Sequence, residues 1–132
     1  MDSKEIRVGN YVFDSANKIL HIDWFENDKA CMRMMVNDIQ VHPLTDYIKY
    51  LRPIPLSDLW LLRFGFEKSI ENDETLPCYK KGKYTVALCL KNKWQFWIRT
   101  VDIYNSPQYV HQLQNIMFDL TGEELKLKDE PK

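Results

Sequence analysis

A chain of 132 residues, 45% hydrophobic and 13% aromatic, is long and apolar enough to bury a core without disulfides or metals, which excludes global disorder. A formal net charge of −1 argues against wholesale attraction to nucleic acid or anionic membrane through bulk charge. The widely spaced Cys31, Cys78 and Cys89 do not read as a disulfide framework, and the charged opening Met1-Asp2-Ser3-Lys4 leads into no long apolar run. The expectation is a cytoplasmic protein without membrane contact.

Ile6–Phe13 alternates apolar and polar residues around Gly9-Asn10, a pair suited to a tight turn or bulge. Lys18–Trp24 alternates cleanly, which predicts Leu20, Ile22 and Trp24 on one face. After the turn chemistry of Glu26-Asn27-Asp28, Ala30–Val36 resumes a strand with Met32, Met34 and Val36 in phase. Short strands are expected at Ile39–His42 and Ile48–Ile54, with Pro43, Pro53 and Pro55 confining them to edges or ends. Five short strands in 55 residues suit a small SH3-like β-barrel or curled sheet.

Ser57 then caps a short helix, Asp58–Phe64, closed by Gly65. Its run of Leu59, Trp60, Leu61, Leu62 and Phe64 leaves almost no polar face, so it is expected to be a buried connecting helix. Phe66–Ile70 can start a second sheet, followed by an acidic loop at Glu71–Glu74. Three strands follow at Cys78–Lys81, Tyr84–Lys91 and Lys93–Val101, with turns at Gly82 and Asn92. Ser106-Pro107 reads as the start of the last helix and Thr121-Gly122 as its end. Val110, Leu113, Met117 and Leu120 form its apolar stripe, and the charged tail from Glu123 is expected to fray. The predicted fold class is α+β: residues 1–55 a barrel-like lobe, residues 56–127 an antiparallel sheet with a packed C-terminal helix, and residues 128–132 a frayed tail.

Catalytic chemistry finds no motif. The chain has no Cys-x-x-Cys, His-Glu-x-x-His, Gly-x-Ser-x-Gly or phosphate-cradling glycine loop, and only four glycines. Folding could unite His21 with His42, or Cys78 with His111, but nothing in the sequence marks either pair. No enzyme activity, metal or cofactor is expected.

The charge is segregated instead. Residues 76–101 hold six basic side chains and no acidic one, flanked by segments of net −4 and −3. Lys80, Lys81, Lys83, Lys91, Lys93 and Arg99 lie on or beside three strands, and Trp97 is out of phase with Trp94, Phe96 and Ile98. Cations interleaved with rings are what single-stranded nucleic acid binding uses, phosphates pairing with the cations and bases stacking on the rings. Lysines at hairpin turns equally serve to discourage edge-to-edge association. A rival surface is the polar face of the last helix, where His111, Gln114, Asn115 and Phe118 suit a modest protein–protein contact. The leading reading is a non-enzymatic interaction protein with a protein partner; the alternative is a nucleic-acid-binding accessory protein.

Arg7-Val8-Gly9-Asn10-Tyr11-Val12, followed by a turn and Lys18-Ile19-Leu20-His21-Ile22, resembles the first hairpin of SH3-like barrels. With Trp60-Leu61-Leu62-Arg63-Phe64-Gly65-Phe66, Tyr109-Val110-His111-Gln112-Leu113-Gln114-Asn115 and Leu120-Thr121-Gly122-Glu123-Glu124-Leu125, the layout is similar to small uncharacterised proteins of gut anaerobes and their phages or mobile elements. That resemblance implies an accessory role in mobile-element biology and transfers no site residue.

Overall fold

The computed structural model describes residues 4–36, 39–40, 44–68, 77–89, 93–98, 101–102 and 106–128. The fold is α+β, with two antiparallel sheets in two compact units, Met1–Pro55 with Tyr109–Leu125 and Leu56–Gln108 with Lys126–Asp129. The predicted strands at Lys91 and Arg99–Thr100 and the acidic loop at 71–74 lie outside the described residues.

In the first unit, β1 (Tyr11–Phe13), β2 (Ile19–Glu26) and β3 (Lys29–Val36) pair in sequence, and β3 also pairs with β4 (Ile39–Gln40) and β5 (Leu44–Tyr47). Asn17 and Asn27 take the positive φ of the two hairpin turns, a conformation asparagine tolerates. The strand expected over Ile48–Ile54 does not form. Ile48–Tyr50 is a single 3-10 turn, and the pairing strand lies just before it at Leu44–Tyr47. After this turn Arg52 exchanges two backbone hydrogen bonds of 2.9 Å with Phe13 as an isolated bridge. Among the described residues no further pairing closes the sheet into a barrel. The core holds Val12, Leu20, Ile22, Ala30, Met32 and Leu51, with Phe25 and Leu44 packed against it.

Strand β2 carries the largest departure from the simple alternation. Its register against β3 shifts between Ile22 and Trp24, leaving Asp23 as an extra residue. Such a bulge reverses the facing of everything beyond it. Ile22 is buried opposite Met32, whereas Trp24, opposite Cys31, turns outward with 64% of its surface exposed.

The last helix, α2 (Val110–Thr121), belongs to this first unit and not to the second sheet as expected. It starts three residues later than Ser106-Pro107 suggests, because those residues are used elsewhere. Ser106 Oγ accepts the Phe96 N–H at 3.0 Å, and the Gln108 amide pairs with both backbone groups of Trp94 at 3.0 and 2.8 Å. The Gln112 side chain caps the start instead, its Oε1 accepting the Tyr109 N–H at 3.2 Å, and Gly122 at φ 75 ends the helix.

In the second unit, α1 (Asp58–Arg63) precedes a five-stranded meander of β6 (Glu67–Lys68), β7 (Cys78–Lys81), β8 (Tyr84–Cys89), β9 (Lys93–Ile98) and β10 (Val101–Asp102). Gly65 at φ 92 lets the chain leave α1, its N–H reaching Leu62 O and the Phe66 N–H reaching Leu61 O, both at 3.0 Å. The helix is not apolar-buried all round: Trp60 and Leu61 are inside, but Leu59 is 60% exposed and Leu62 is exposed with it. Tyr79, Val86 and Phe96 form one buried cross-strand row, beside Trp94. The tail is not frayed as far as it is described. Leu125 and Leu127 are buried, and the Lys128 N–H donates to Arg63 O at 2.8 Å.

Candidate functional site

The basic segment divides between two faces of the second sheet. Lys80, Thr85 and Trp97 form a cross-strand row on the face opposite Tyr79, Val86 and Phe96, with Glu67 continuing it beyond Lys80. Among the described side chains none on that face is buried: Cys78, Thr85, Ala87, Gln95 and Trp97 are half-buried, and Lys80 and Lys93 are exposed. Lys83 is exposed at the β7–β8 turn, its ammonium 5.6 Å from the Tyr84 ring. Lys81 does not join them. Strand alternation turns it to the inner face, where Nζ donates to Phe64 O at 2.8 Å and so satisfies a carbonyl at the end of α1. Lys91 and Arg99 lie outside the described residues. The described face is thus a half-open sheet with one tryptophan, two lysines and one glutamate.

The quartet expected on the polar side of α2 is largely internal. Gln114 is buried, and its side-chain amide acts as a substitute strand: Oε1 accepts the Tyr11 N–H and Nε2 donates to Gly9 O, both at 2.9 Å. Asn115 Oδ1 accepts from Asn10 Nδ2 at 2.9 Å and Arg7 Nε at 3.2 Å, and its Nδ2 donates to Glu5 O at 2.9 Å. The Arg7 guanidinium covers the Phe118 ring at 4.2 Å and is ion-paired with Glu124. These residues tie α2 to the N-terminal strands by matching a backbone carbonyl and N–H there. His111 is 1% exposed, stacked on Tyr109 at 6.0 Å and 18°, and neither ring nitrogen has a hydrogen-bond partner. Burial pushes its imidazole down from 6.5 to about 4, so it is neutral at physiological pH. Polar composition at helical spacing misled here because Gln114 is drawn inside to match backbone groups, and His111 is buried without any such match.

The surface that sequence reasoning missed is the outer face of the first sheet. The bulge residue Asp23 is held by Arg33, whose Nε donates to both carboxylate oxygens at 3.0 and 2.9 Å, while His21 Nδ1 lies 2.7 Å from Oδ1. That clamp fixes the bulge, and the bulge sets Trp24 outward. On the same face lie Cys31 and Thr45 in register with Trp24, then Glu26, Lys29 and Tyr47 in the next row. Tyr47 and Tyr50 are both exposed and meet edge to face with centroids 5.9 Å apart. Lys29 lies 5.0 Å from the Tyr47 ring, and Lys49 lies 5.5 and 5.1 Å from the two tyrosines. The available signal was the adjacent Ile22-Asp23-Trp24, a place where a charged residue between two apolar ones can be extruded as a bulge.

Among the described residues no three His, Cys, Asp or Glu side chains gather as a metal site, and no helix is long and apolar enough to cross a membrane. No protein family, curated protein or solved structure matches this chain.

Proposed function

We propose that this protein is a non-enzymatic interaction protein that engages a protein partner through the outer face of its first sheet. The observation that carries the reading is Trp24, turned out of the core by a bulge with 64% of its surface in solvent. Burying that exposed indole in an interface would contribute on the order of 3 kcal/mol. Tryptophan and tyrosine dominate interface hot spots, and Tyr47 and Tyr50 supply two more exposed rings on the same unit. The strand order β1-β2-β3-β5, with a 3-10 turn leading to the Arg52 bridge onto β1, supports an SH3-like reading of this unit.

The test is quantitative capture from a nuclease-treated extract of the cells that produce the protein, using wild-type and Trp24→Ser bait. A protein held by the wild type and reduced at least about tenfold by Trp24→Ser supports the reading. Equal recovery on both baits refutes it.

A second reading rests on Trp97, half-buried in one row with Lys80 and on the same face as exposed Lys93. It makes the half-open second sheet a single-stranded nucleic acid platform. Lys81, turned to the inner face, would take no part.

A further inference from the structure

The second unit contains a pocket of about 470 Å³, within the range of small-molecule sites. Its apolar wall is Leu56, Pro77, Leu88 and Trp94. The Trp94 indole N–H is already committed to Leu56 O at 3.0 Å, so this ring is fixed and offers a ligand only apolar and π surface. The Tyr79 and Trp94 rings lie 6.0 Å apart at 55°. Among the described residues no hydrogen bond engages the Tyr79 hydroxyl. Burial, and then the nearby Asp58 carboxylate, raise the Tyr79 phenol above its usual range, so it stays protonated and able to donate or accept.

Two exposed charges of opposite sign belong to the same lining. Asp58 lies close enough for its charge to act on Tyr79, and one of its oxygens accepts the Leu59 N–H at 2.9 Å, leaving the other for a ligand. Lys68 is the cross-strand partner of Tyr79 and so shares its face of the sheet. An apolar molecule would leave both charges unanswered, and a simple cation or anion would answer one and face the other. A zwitterion answers both.

We propose that this pocket binds a small zwitterion with an apolar side group, the chemistry of a free aromatic or large aliphatic α-amino acid. The ammonium pairs with Asp58 and the Tyr79 hydroxyl, the carboxylate pairs with Lys68, and the side group lies against Trp94, Leu88 and Pro77. This site is separate from the residues proposed for partner binding, so either reading can fail alone.

Three probes of one ring and different charge decide it: L-phenylalanine, phenethylamine and 3-phenylpropionate, titrated to about 10 mM with amide and indole NMR shifts as readout. L-Phenylalanine is expected to shift Tyr79, Leu88 and the Trp94 indole and to bind more tightly than either singly charged probe. Asp58→Asn, at an exposed position, should weaken L-phenylalanine about tenfold and leave 3-phenylpropionate no weaker; Lys68→Gln should weaken L-phenylalanine and leave phenethylamine no weaker. No shift at the lining residues with L-phenylalanine, equal binding of all three probes, or indifference to both substitutions overturns the proposal.

Discussion

His111 gives the sharpest stability prediction. Its ring is 1% exposed, and both nitrogens lack partners. In the unfolded chain it takes a proton near 6.5, whereas in the folded protein it does so only at about 4. Between those values the unfolded state binds more protons, so stability is fully present above about pH 6.5 and falls as pH drops toward 4. At about 1.4 kcal/mol per pH unit the whole effect is about 3 kcal/mol, of which about 2 kcal/mol is gone by pH 5. His111→Phe removes the titrating group and keeps a ring beside Tyr109. Urea unfolding followed by tryptophan fluorescence at about pH 8, 6 and 5 should show the wild type losing this stability and the variant losing about 2 kcal/mol less. At pH 8 the variant should be as stable as the wild type or more so, since two unmatched buried polar atoms are gone. Identical pH dependence in the two proteins, or a wild type with flat stability over this range, would refute the reasoning.

Gln114→Ala should cost about 2–3 kcal/mol in the same unfolding assay, because it removes two buried hydrogen bonds, from the Tyr11 N–H and to Gly9 O. Lys81→Ala should cost about 1 kcal/mol through loss of its bond to Phe64 O, while Lys80→Ala, at an exposed position, should change stability by less than about 0.5 kcal/mol. If the second sheet binds single-stranded nucleic acid, retention on an oligonucleotide should fall steeply with salt and be lost with Lys80→Glu, Lys83→Glu and Lys93→Glu combined; salt-insensitive retention removes that reading. Trp24→Ser should cost no more than about 2 kcal/mol of folding stability, since 64% of the residue is already in solvent, and still weaken partner binding at least about tenfold.

What was legible in the sequence follows from how local each signal is. β7 ran from Cys78 to Lys81 as expected because Gly82 marks its turn and Tyr79 marks its buried phase. The same alternation held the answer for Lys81, which shares the phase of Tyr79 and therefore faces inward, although its charge suggested a surface role. Trp24 was misplaced because a period-two reading assumes an unbroken register, and the Asp23 bulge depends on Arg33 from the next strand. His111 and Gln114 were read as surface residues because polarity usually means solvent. Gln114 is buried because it pairs with Gly9 and Tyr11, about a hundred positions away, whereas His111 is buried with no hydrogen-bond partner at either ring nitrogen, which no local polarity signal shows. Ser106-Pro107 carried a helix-start signal, but the Ser106 hydroxyl went to Phe96 instead. The candidate surface was therefore hidden behind one extra residue in one strand.

Hydroxyl-radical footprinting of the free protein and of its captured complex tests the central claim most directly. Trp24, Tyr47 and Tyr50 are exposed and should oxidise readily in the free protein. The account predicts strong protection of these three rings in the complex and little change at Trp97. Protection of Trp97 with undiminished oxidation of Trp24 would contradict it and move the interface to the second sheet.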